Sequence, residues 1–328
     1  MKISVFLGGS SEERDVSLRS GQAITEALRR RNHEVVLHDV EWYGKSTLFR
    51  AIEEVRADGT DVVFLALHGG LGENGGVQGV LEAAGIPYTG SGIAASATAM
   101  DKHISKTLFR HNGIRTADWF IGGMAEITQE RIEREIGWPC VVKPVDQGST
   151  IGLSLVRGPG ELPNAVEKAL SVGVRKGTPN YASIIRGPLI MAESYLPGRE
   201  LSVPVLGERA LPVIEIRPSH VIYDYECKYT PGMSQYLVPA PVPGRLAKEI
   251  AETALKAFRV LGLRDIARID FRLDEEERPV CLEANTLPGM TETSLVPKSA
   301  AACGIDFTEL VMRISEMAYS RGPRIMLA

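Results

Sequence analysis

The stretch RIDFRLDEEERPVCLEANTLPGMTETSL, residues 268–295, is the part of the chain around which the rest is organised. Apolar and polar residues alternate on both sides of the charged turn 274–279, a pattern that predicts two antiparallel strands with one apolar face. The apolar positions are Ile269, Phe271 and Leu273 on the first strand and Val280, Leu282 and Ala284 on the second. The opposite face of this hairpin therefore carries the charged and amide side chains.

If Leu273 faces Val280 across the hairpin, then Asp270 faces Glu283 and Asn285 lies on the same polar face. Two carboxylates and an amide oxygen are hard ligands of the kind that Mg²⁺ takes together with water and nucleotide phosphates. The alternative is a solvated strand face with scattered charges, which is the more frequent origin of such a short motif. The rest of the chain has to distinguish between the two.

The composition is that of an ordinary globular protein, since 328 residues with 44% hydrophobic and 24% charged side chains allow two or three domains. A net charge of −4 gives no basic surface, so nucleic acid is not expected as a partner. No unbroken apolar run is long enough to span a bilayer, so no membrane is expected either. The cysteines show no metal-ligand spacing, which indicates buried thiols in a reducing cytoplasm rather than disulfides or zinc. They are Cys140, Cys227, Cys281 and Cys303.

Strands and helices alternate at the start of the chain. The predicted strands are 2–7, 33–40 and 61–67, and the predicted helices follow the first two of them. A βαβαβ order predicts a parallel sheet with ligands at the carboxyl ends of its strands. The loops 8–15 and 68–76 are the candidates, and the second, HGGLGENGG, has enough glycine for a close backbone approach to a small polar ligand. A mobile surface turn is the alternative.

Two familiar nucleotide motifs are absent from this region. Gly8-Gly9 lacks the GxGxxG spacing of a dinucleotide fold. Gly44-Lys45-Ser46 has Asp39 where a P-loop needs glycine, so that motif is excluded as well.

A different phosphate loop is predicted further along. The strand CVVKP is followed by the loop DQGSTIG and then by the strand LSLV. Lys143 supplies a cation, and the N–H groups of residues 148–152 can wrap phosphate oxygens. A plain hairpin with a polar turn explains the same pattern. Beyond it, the polar stretch 174–186 is typical of a surface excursion, and residues 219–239 form a long loop of a length that is usually functional.

In this order and spacing, the motifs resemble those of the D-alanine–D-alanine ligases of the ATP-grasp superfamily over essentially the whole chain. The segments that carry the resemblance are LGGSSEERDVSL, ALHGGLGENGGVQG, YTGSG, MDK, VVKP, QGSTIG, PGRE, YDYECKY, ARID and LEANTLPGMTETSLVP. No one of them would suffice, but together they are specific.

The resemblance implies an α/β (α+β) ATP-grasp fold in three domains. A Rossmann-like parallel βαβ domain would occupy residues 1–92, and two α+β domains, 93–188 and 189–328, would clamp ATP, the last with the metal site and the active-site loop. The implied activity is ligation of two D-alanines to D-alanyl-D-alanine through D-alanyl phosphate, releasing ADP and phosphate, for peptidoglycan synthesis. The implied cofactors are ATP and Mg²⁺, with Mn²⁺ as a substitute, in a cytoplasmic homodimer.

The resemblance also implies the nucleotide side of the site. The residues that match ATP contacts are Lys102, Lys143, Glu193, Tyr195, Leu196, Glu200 and Lys228. In the family the lysines meet the phosphates, the residues 193–196 meet adenine, and Glu200 meets the ribose. The implied metal ligands are Asp270, Glu283 and Asn285, which agrees with the hairpin argument above.

The amino-acid side is implied in the same way. Glu13 matches the residue that holds the first D-alanine's ammonium, and Ser149 and Tyr229 match its partners in a triad that shuts the active-site loop. Arg268 and the backbone at Gly289 match oxyanion donors. The residues that match substrate contacts are His68 for the first D-alanine and Ser294 and Leu295 for the carboxylate of the second.

Some positions depart from the family pattern, and other functions remain open. Asp15, Asn74, Gln147 and Thr150 replace other residues, and the changes at Asn74 and Gln147 remove negative charge. The alternative functions are a ligase that joins D-alanine to D-lactate or D-serine and a nucleotide-binding protein without catalysis. Within the resemblance, Tyr229 favours an amine acceptor, and the complete Asp270, Glu283 and Asn285 set favours catalysis.

Overall fold

The computed structural model describes residues 1–42, 47–172, 189–230 and 232–322, and only the backbone of Tyr225 and Tyr229. The motif at 44–46 and the stretch 174–186 lie outside the described residues. Within the described part, no helix has both the length and the apolar character needed to cross a membrane.

The first sheet is parallel, as the sequence predicts. Its strands β1 (Lys2–Gly8), β2 (Glu34–Val40) and β3 (Val62–Leu65) pair in the order β2-β1-β3. The connecting helices are α1 (Arg14–Arg30) and α2 (Leu48–Asp58). Strand β1 is buried along nearly its whole length, so apolar side chains on both of its faces pack into separate cores. This arrangement brings loops 8–15 and 68–76 to one edge of the sheet.

Three short helices lead out of this sheet. They are α3 (Gly76–Ala83), α4 (Ile93–Met100) and α5 (Lys102–His111). Helix α5 begins where the carboxylate of Asp101 accepts the N–H of Ile104 at 2.9 Å. This cap fixes the helix start, and with it the position of Lys102 in the first turn.

The second sheet is antiparallel and has the order β4-β7-β5-β6. Its elements are β4 (Trp119–Gly122), α6 (Gln129–Glu135), β5 (Cys140–Pro144), β6 (Ser154–Val156), α7 (Leu162–Ser171) and β7 (Ile190–Ser194). Strand β7 pairs with β4 and β5, although the boundary predicted at residue 188 assigns it to the next domain. We propose three domains with the second boundary after Ser194, because the chain changes sheets there.

The third sheet is antiparallel and has the order β11-β10-β8-β12-β13, with β9 paired to β8. Its strands are β8 (Glu200–Leu206), β9 (Arg209–Ala210), β10 (Ile214–Pro218), β11 (Ser234–Leu237), β12 (Ile266–Leu273) and β13 (Pro279–Asn285). The helices of this part are α8 (Tyr225–Tyr229), α9 (Gly244–Val260), α10 (Leu295–Ala301) and α11 (Phe307–Ser320). The loop predicted over 219–239 thus contains a short helix and a paired strand.

The β12–β13 hairpin has the predicted pairs Asp270–Glu283 and Arg268–Asn285, but its register near the turn differs from the predicted one. Leu273 faces Pro279 and not Val280, and a bulge between Asp270 and Phe271 restores the register. The residue left without a partner is Leu282, because Phe271 faces Cys281. A bulge turns the following side chains over to the other face.

Two predicted orientations on β13 are therefore wrong. Cys281, expected on the polar face, is fully buried in the core between the sheet and α9. Leu282, expected in that core, is half-buried and lines a pocket beside Glu283.

Candidate active site

Two adjoining pockets contain the side chains that the sequence singles out. Pocket A lies between the second and third sheets, and its predicted residues are Lys102, Lys143, Glu193, Tyr195, Leu196, Glu200, Lys228, Arg268, Asp270 and Glu283. Pocket B lies between the loops of the first sheet and the start of α10, and its predicted residues are Glu13, His68, Ser149, Lys228, Arg268, Asn285, Gly289, Ser294 and Leu295. Lys228, Arg268 and Tyr223 line both pockets, so these three residues mark their junction. The side chain of Tyr229 lies outside the described residues.

Glu193 is the anion around which one end of pocket A is built. Lys143 on β5 pairs with Oε1 of Glu193 on β7, the neighbouring strand. Lys106 on α5 approaches Oε2 at 3.0 Å and donates to Thr116 Oγ1 at 2.7 Å. Burial raises the pKa of Glu193, but the Lys106 and Lys143 ammonium groups outweigh it and lower the pKa to about 2. Glu193 is therefore ionised, and it fixes two lysines in a buried place.

Lys102 links α5 to the opposite wall of pocket A. Its Nζ lies 3.1 Å from Oε2 of Glu283 and donates to the carbonyl of Gln147 at 2.6 Å. Burial lowers the pKa of Lys102, but the charge of Glu283 outweighs it and raises the pKa. Burial raises the pKa of Glu283, and Lys102, Lys143 and Lys228 together lower it well below its usual range. Both groups are therefore charged.

Asp270 is held from three sides. Arg268 donates to it from Nε at 2.9 Å and from Nη2 at 2.8 Å. Ser202 Oγ donates at 2.6 Å from β8, and Asn285 Nδ2 donates at 2.9 Å from β13. Because its nitrogen is used in this way, Asn285 keeps its oxygen side for a cation. Asp270, Glu283 and Asn285 form a set of hard oxygen donors that fits Mg²⁺.

One end of pocket A combines the aromatic ring of Tyr195 with the buried carboxyl group of Glu200. Burial raises the pKa of Glu200 to about 7, with Arg272 and Lys228 acting against the shift. Arg272 lies 3.9 Å from Glu200 and 5.4 Å from the centre of the Tyr195 ring. Leu282, which the bulge turns toward the pocket, adds an apolar surface beside the polar groups of Glu200 and Arg272. Such a lining suits a flat base attached to a polar sugar.

The loop 146–152 separates the two pockets. Ser149 and Thr150 have left-handed backbone angles, φ 50° and 62°. Such angles are costly for residues other than glycine, and they persist where the surroundings hold them. Here the Ser149 hydroxyl donates to Glu13 of the first domain, and Thr150 Oγ1 donates to the carbonyl of Tyr223 at 2.9 Å. The loop therefore connects all three parts of the fold.

Pocket B has buried polar walls from loop 68–76. His68 Nδ1 lies 2.9 Å from the carbonyl of Leu287, and burial lowers its pKa. Glu73 accepts the N–H of Gly69 at 3.0 Å and that of Leu287 at 3.2 Å. Burial raises the pKa of Glu73 to about 7, and the charge of Glu13 acts in the same direction. Loop 68–76 is therefore fixed against residues 285–289.

The far wall of pocket B is the turn before α10. Ser294 occupies the N-cap position of this helix, and its hydroxyl lies 2.8 Å from Thr291 Oγ1. A Cβ on Gly289 would lie 3.0 Å from Ser294 Oγ, tighter than most real contacts. A side chain at this position would therefore crowd the Ser294 hydroxyl, which glycine avoids.

The sequence reasoning missed several residues around the pockets. They are Lys106, Ser202, Arg272, Glu73 and Tyr223. Lys106 follows Lys102 by one helical turn, a spacing that could have identified it. Glu73 and Tyr223 lie inside motifs that the sequence did single out. Arg272 lies on the polar strand face that the alternation predicts, two residues after Asp270, and could have been identified from it. Ser202 gave no signal, because only the pairing of β8 with β12 brings it to the site.

The departures from the family pattern can also be placed. Gln147 contributes its carbonyl to Lys102, and Thr150 uses its hydroxyl on Tyr223. Asn74 accepts the N–H of Gly76 at 3.1 Å and so supports the start of α3. Asp15 is exposed in the first turn of α1.

Comparisons with known proteins agree with this geometry. Residues 108–316 match a family model described as D-ala D-ala ligase C-terminus, and residues 44–91 match one described as D-ala D-ala ligase N-terminus. The chain is 42% identical over 318 residues to D-alanine–D-alanine ligase of Anaeromyxobacter dehalogenans, covering 97% of this chain and 96% of that protein. It is 43% identical over 322 residues to the Magnetococcus marinus enzyme of the same name, covering 97% of each.

A solved structure is similar as well. The D-alanine–D-alanine ligase from Bacillus anthracis complexed with ATP superposes with a TM-score of 0.80 at 32% identity, covering 98% of this chain and 97% of that one.

Proposed function

The chain belongs to the D-alanine–D-alanine ligase family, and from this premise we propose how its two pockets share the reaction. The protein is an ATP-dependent ligase that joins two D-alanines to D-alanyl-D-alanine, a precursor for peptidoglycan. The observation that carries the proposal is the junction of the pockets at Lys228 and Arg268. A phosphoryl group passing from nucleotide to amino acid has to cross such a junction.

Pocket A takes ATP. Tyr195, Leu196 and Leu282 supply the apolar lining for adenine, and Glu193 with the adjacent backbone supplies polar contacts. Glu200 accepts hydrogen bonds from the ribose. Lys102, Lys143 and Lys228 neutralise the phosphates, and the N–H groups of loop 146–152 surround them. The resulting cluster of cations around a deep cleft fits a triphosphate.

The hairpin takes the metal. Asp270, Glu283 and Asn285 would hold Mg²⁺, with Mn²⁺ as a substitute of similar ligand preference. When bound, the ion would supply positive charge that neutralises the charge developing on the transferred phosphoryl group. Arg268 and Ser202 orient Asp270 for this role.

Pocket B takes the amino acids. Glu13, held by Ser149, pairs with the ammonium of the first D-alanine, beside His68. Ser294 and the N–H of Leu295 hold the carboxylate of the second D-alanine at the start of α10. This places the amine of the second substrate next to the carboxyl group of the first.

The chemistry then needs two steps. The carboxylate of the first D-alanine attacks the γ-phosphorus of ATP, which gives an acyl phosphate and ADP. The amine of the second D-alanine attacks the carbonyl carbon, phosphate leaves, and the amine loses a proton. Arg268 and the Gly289 N–H stabilise the oxyanion that forms in the second step. The segment 219–230 covers the junction and excludes water, to which the acyl phosphate is sensitive.

Phosphate release from ATP tests the proposal. We expect phosphate release that depends on D-alanine, and we expect one D-alanyl-D-alanine to form for each phosphate released. No D-alanine-dependent release would leave a nucleotide-binding protein without catalysis. Offering D-lactate or D-serine together with D-alanine tests which acceptor the enzyme uses. If the enzyme preferred either of them to D-alanine, that compound would be the second substrate. Tyr229→Phe is expected to raise ester formation with D-lactate, and an unchanged product ratio would refute that role.

Location and assembly are further proposals. The reaction consumes ATP, and the cysteines are free, which supports a cytoplasmic location. Resemblance to the family supports a homodimer. Light scattering at working concentration checks it, and a monomer mass would refute it.

A further inference from the structure

A cluster of three different metal-ligating groups lies on the segment 219–230, away from the hairpin carboxylates. It consists of His220, Asp224 and Cys227, whose ligand atoms all lie within 4.8 Å of one another. His220 is exposed and Asp224 half-exposed, whereas Cys227 is only 1% exposed. The thiol is therefore buried, but its Sγ lies within 4.8 Å of ligand atoms on two side chains that an ion can reach from solvent.

The local backbone sets this arrangement. Asp224 precedes α8, and its Oδ1 accepts the N–H of Cys227 at 2.9 Å. His220, one turn earlier, lies 2.8 Å from Oδ2 of the same carboxylate. Cys227 points into a small core with Ile214 and Leu295 and is held through its carbonyl by the Ser234 hydroxyl at 2.7 Å.

We propose that His220, Asp224 and Cys227 form a Zn²⁺ site, with water as the fourth ligand. Imidazole, carboxylate and thiolate are the ligands that Zn²⁺ takes in proteins. Bonds of about 2.0–2.3 Å in a tetrahedron separate ligand atoms by roughly 3.3–3.8 Å. The ligand atoms lie within 4.8 Å of one another, so they have to approach each other by about 1 Å at most, which side-chain rotation can supply. On binding, the thiol releases a proton to water, and the His220–Asp224 hydrogen bond is replaced by bonds to the ion.

The surroundings favour a cation. The cleft outside the cluster is lined by Asp224 together with the carboxylates of Glu12 and Glu226. The lysine in that cleft, Lys168, donates to the carbonyl of Leu153 at 2.9 Å. The spacing His-x3-Asp-x2-Cys is not one of the usual zinc motifs, which explains why the cysteine pattern alone predicts no zinc.

Zinc at this place would act on the ligase reaction, a consequence that rests on the proposed function. The ligands bracket Tyr223 and immediately precede Lys228, which line both pockets. An ion that joins residues 220 and 227 cross-links this segment internally and makes it more rigid. Because Tyr223 and Lys228 lie on the segment and line both pockets, bound Zn²⁺ is expected to lower turnover.

Cobalt substitution tests the site without reference to activity. The full chain titrated with Co²⁺ should show a thiolate-to-cobalt charge-transfer band that is displaced by Zn²⁺. The band should be lost in Cys227→Ala and kept in Cys303→Ala, a control at a partly exposed thiol outside the cluster. His220→Ala changes an exposed side chain, so it should fold and weaken Co²⁺ binding by more than about tenfold. The proposal would be overturned if the unmodified chain showed no band or if the band survived Cys227→Ala. His220 and Asp224 would then form an ordinary surface ion pair.

Turnover tests the consequence. At saturating Mg²⁺ and ATP, Zn²⁺ should inhibit the unmodified enzyme at a concentration more than about tenfold below that needed for His220→Ala. Equal sensitivity of the two would refute the effect on turnover. Absence of D-alanine-dependent turnover in both would instead refute the proposed function, whatever the cobalt spectrum shows.

Discussion

Arg268 holds the carboxylate of Asp270 through two hydrogen bonds, at 2.9 and 2.8 Å, from a position two residues earlier on the same strand. The two residues are proposed for different tasks, oxyanion stabilisation and metal binding. Burial lowers the pKa of Arg268, but Asp270 outweighs it and raises the pKa above its usual range, so the guanidinium stays charged. The pair therefore couples the nucleotide side of the reaction to the amino-acid side.

Arg268→Ala is expected to lower kcat for dipeptide formation by about 10²–10³-fold, the effect of losing one oxyanion donor. It should also raise the Mg²⁺ concentration needed for half-maximal rate, because Asp270 loses its main orienting partner. Arg268→Lys keeps the charge but loses the two-point contact with Asp270. Its kcat and its Mg²⁺ requirement should lie between those of the unmodified enzyme and of Arg268→Ala. A normal rate and normal Mg²⁺ response in Arg268→Lys would show that the paired geometry is unimportant.

Lys106→Met is expected to raise KM for ATP while leaving KM for D-alanine unchanged. The ammonium group is fully buried beside Glu193, and removing one partner of such a pair costs roughly 3–5 kcal/mol. The thermal midpoint should therefore fall as well. Burial lowers the pKa of Lys106, and the charge of Glu193 acts against this shift.

The double variant Lys106→Met/Glu193→Leu should lower the thermal midpoint further, because Lys143 then also loses its buried counter-charge. It should recover none of the ATP affinity. Lys248→Met, at an exposed position on α9, is the matched control and should change neither. If Lys106→Met lost stability with KM for ATP unaltered, Lys106 would be a structural residue only.

The sequence predicted the parallel first sheet correctly from the βαβαβ order, and it also predicted that Asp270 faces Glu283. It predicted the hairpin register wrongly, because a bulge depends on the partner strand and leaves no mark in the alternation. The Asp270–Glu283 pairing is nevertheless as predicted, because the unpaired residue Leu282 offsets the one-residue shift that begins at the Leu273–Pro279 pair. Ser202 could not be assigned to the site for a similar reason, since only the pairing of β8 with β12 brings it there.

Leu282→Ala is expected to raise KM for ATP about fivefold with little change in thermal midpoint. The side chain faces the pocket rather than the core, so its loss removes contact area from the nucleotide, worth about 1 kcal/mol. Cys281→Asp, one residue earlier, should instead unfold the protein or lower its midpoint strongly, because Cys281 is fully buried. The opposite pattern would mean that the bulge is absent in solution.

Glu73 should make stability depend on pH. Burial raises its pKa to about 7, above the ordinary value of 4.5 that it has in the unfolded chain. Between these two pH values the folded state binds more protons than the unfolded state, so the free energy of unfolding falls as pH rises. The total effect is about 3 kcal/mol, and most of it lies between pH 5 and pH 8.

The measurement is the thermal midpoint of the unmodified protein and of Glu73→Gln across that pH range. Glu73→Gln carries no titrating group and loses one of the two backbone hydrogen bonds, so it should start lower at pH 5. Its midpoint should then decline less than that of the unmodified protein, and the two curves should converge as pH rises. Glu208→Gln, at an exposed carboxylate paired with Arg259, should run parallel to the unmodified protein. Parallel curves for Glu73→Gln would mean that Glu73 is already ionised in the folded protein at pH 5.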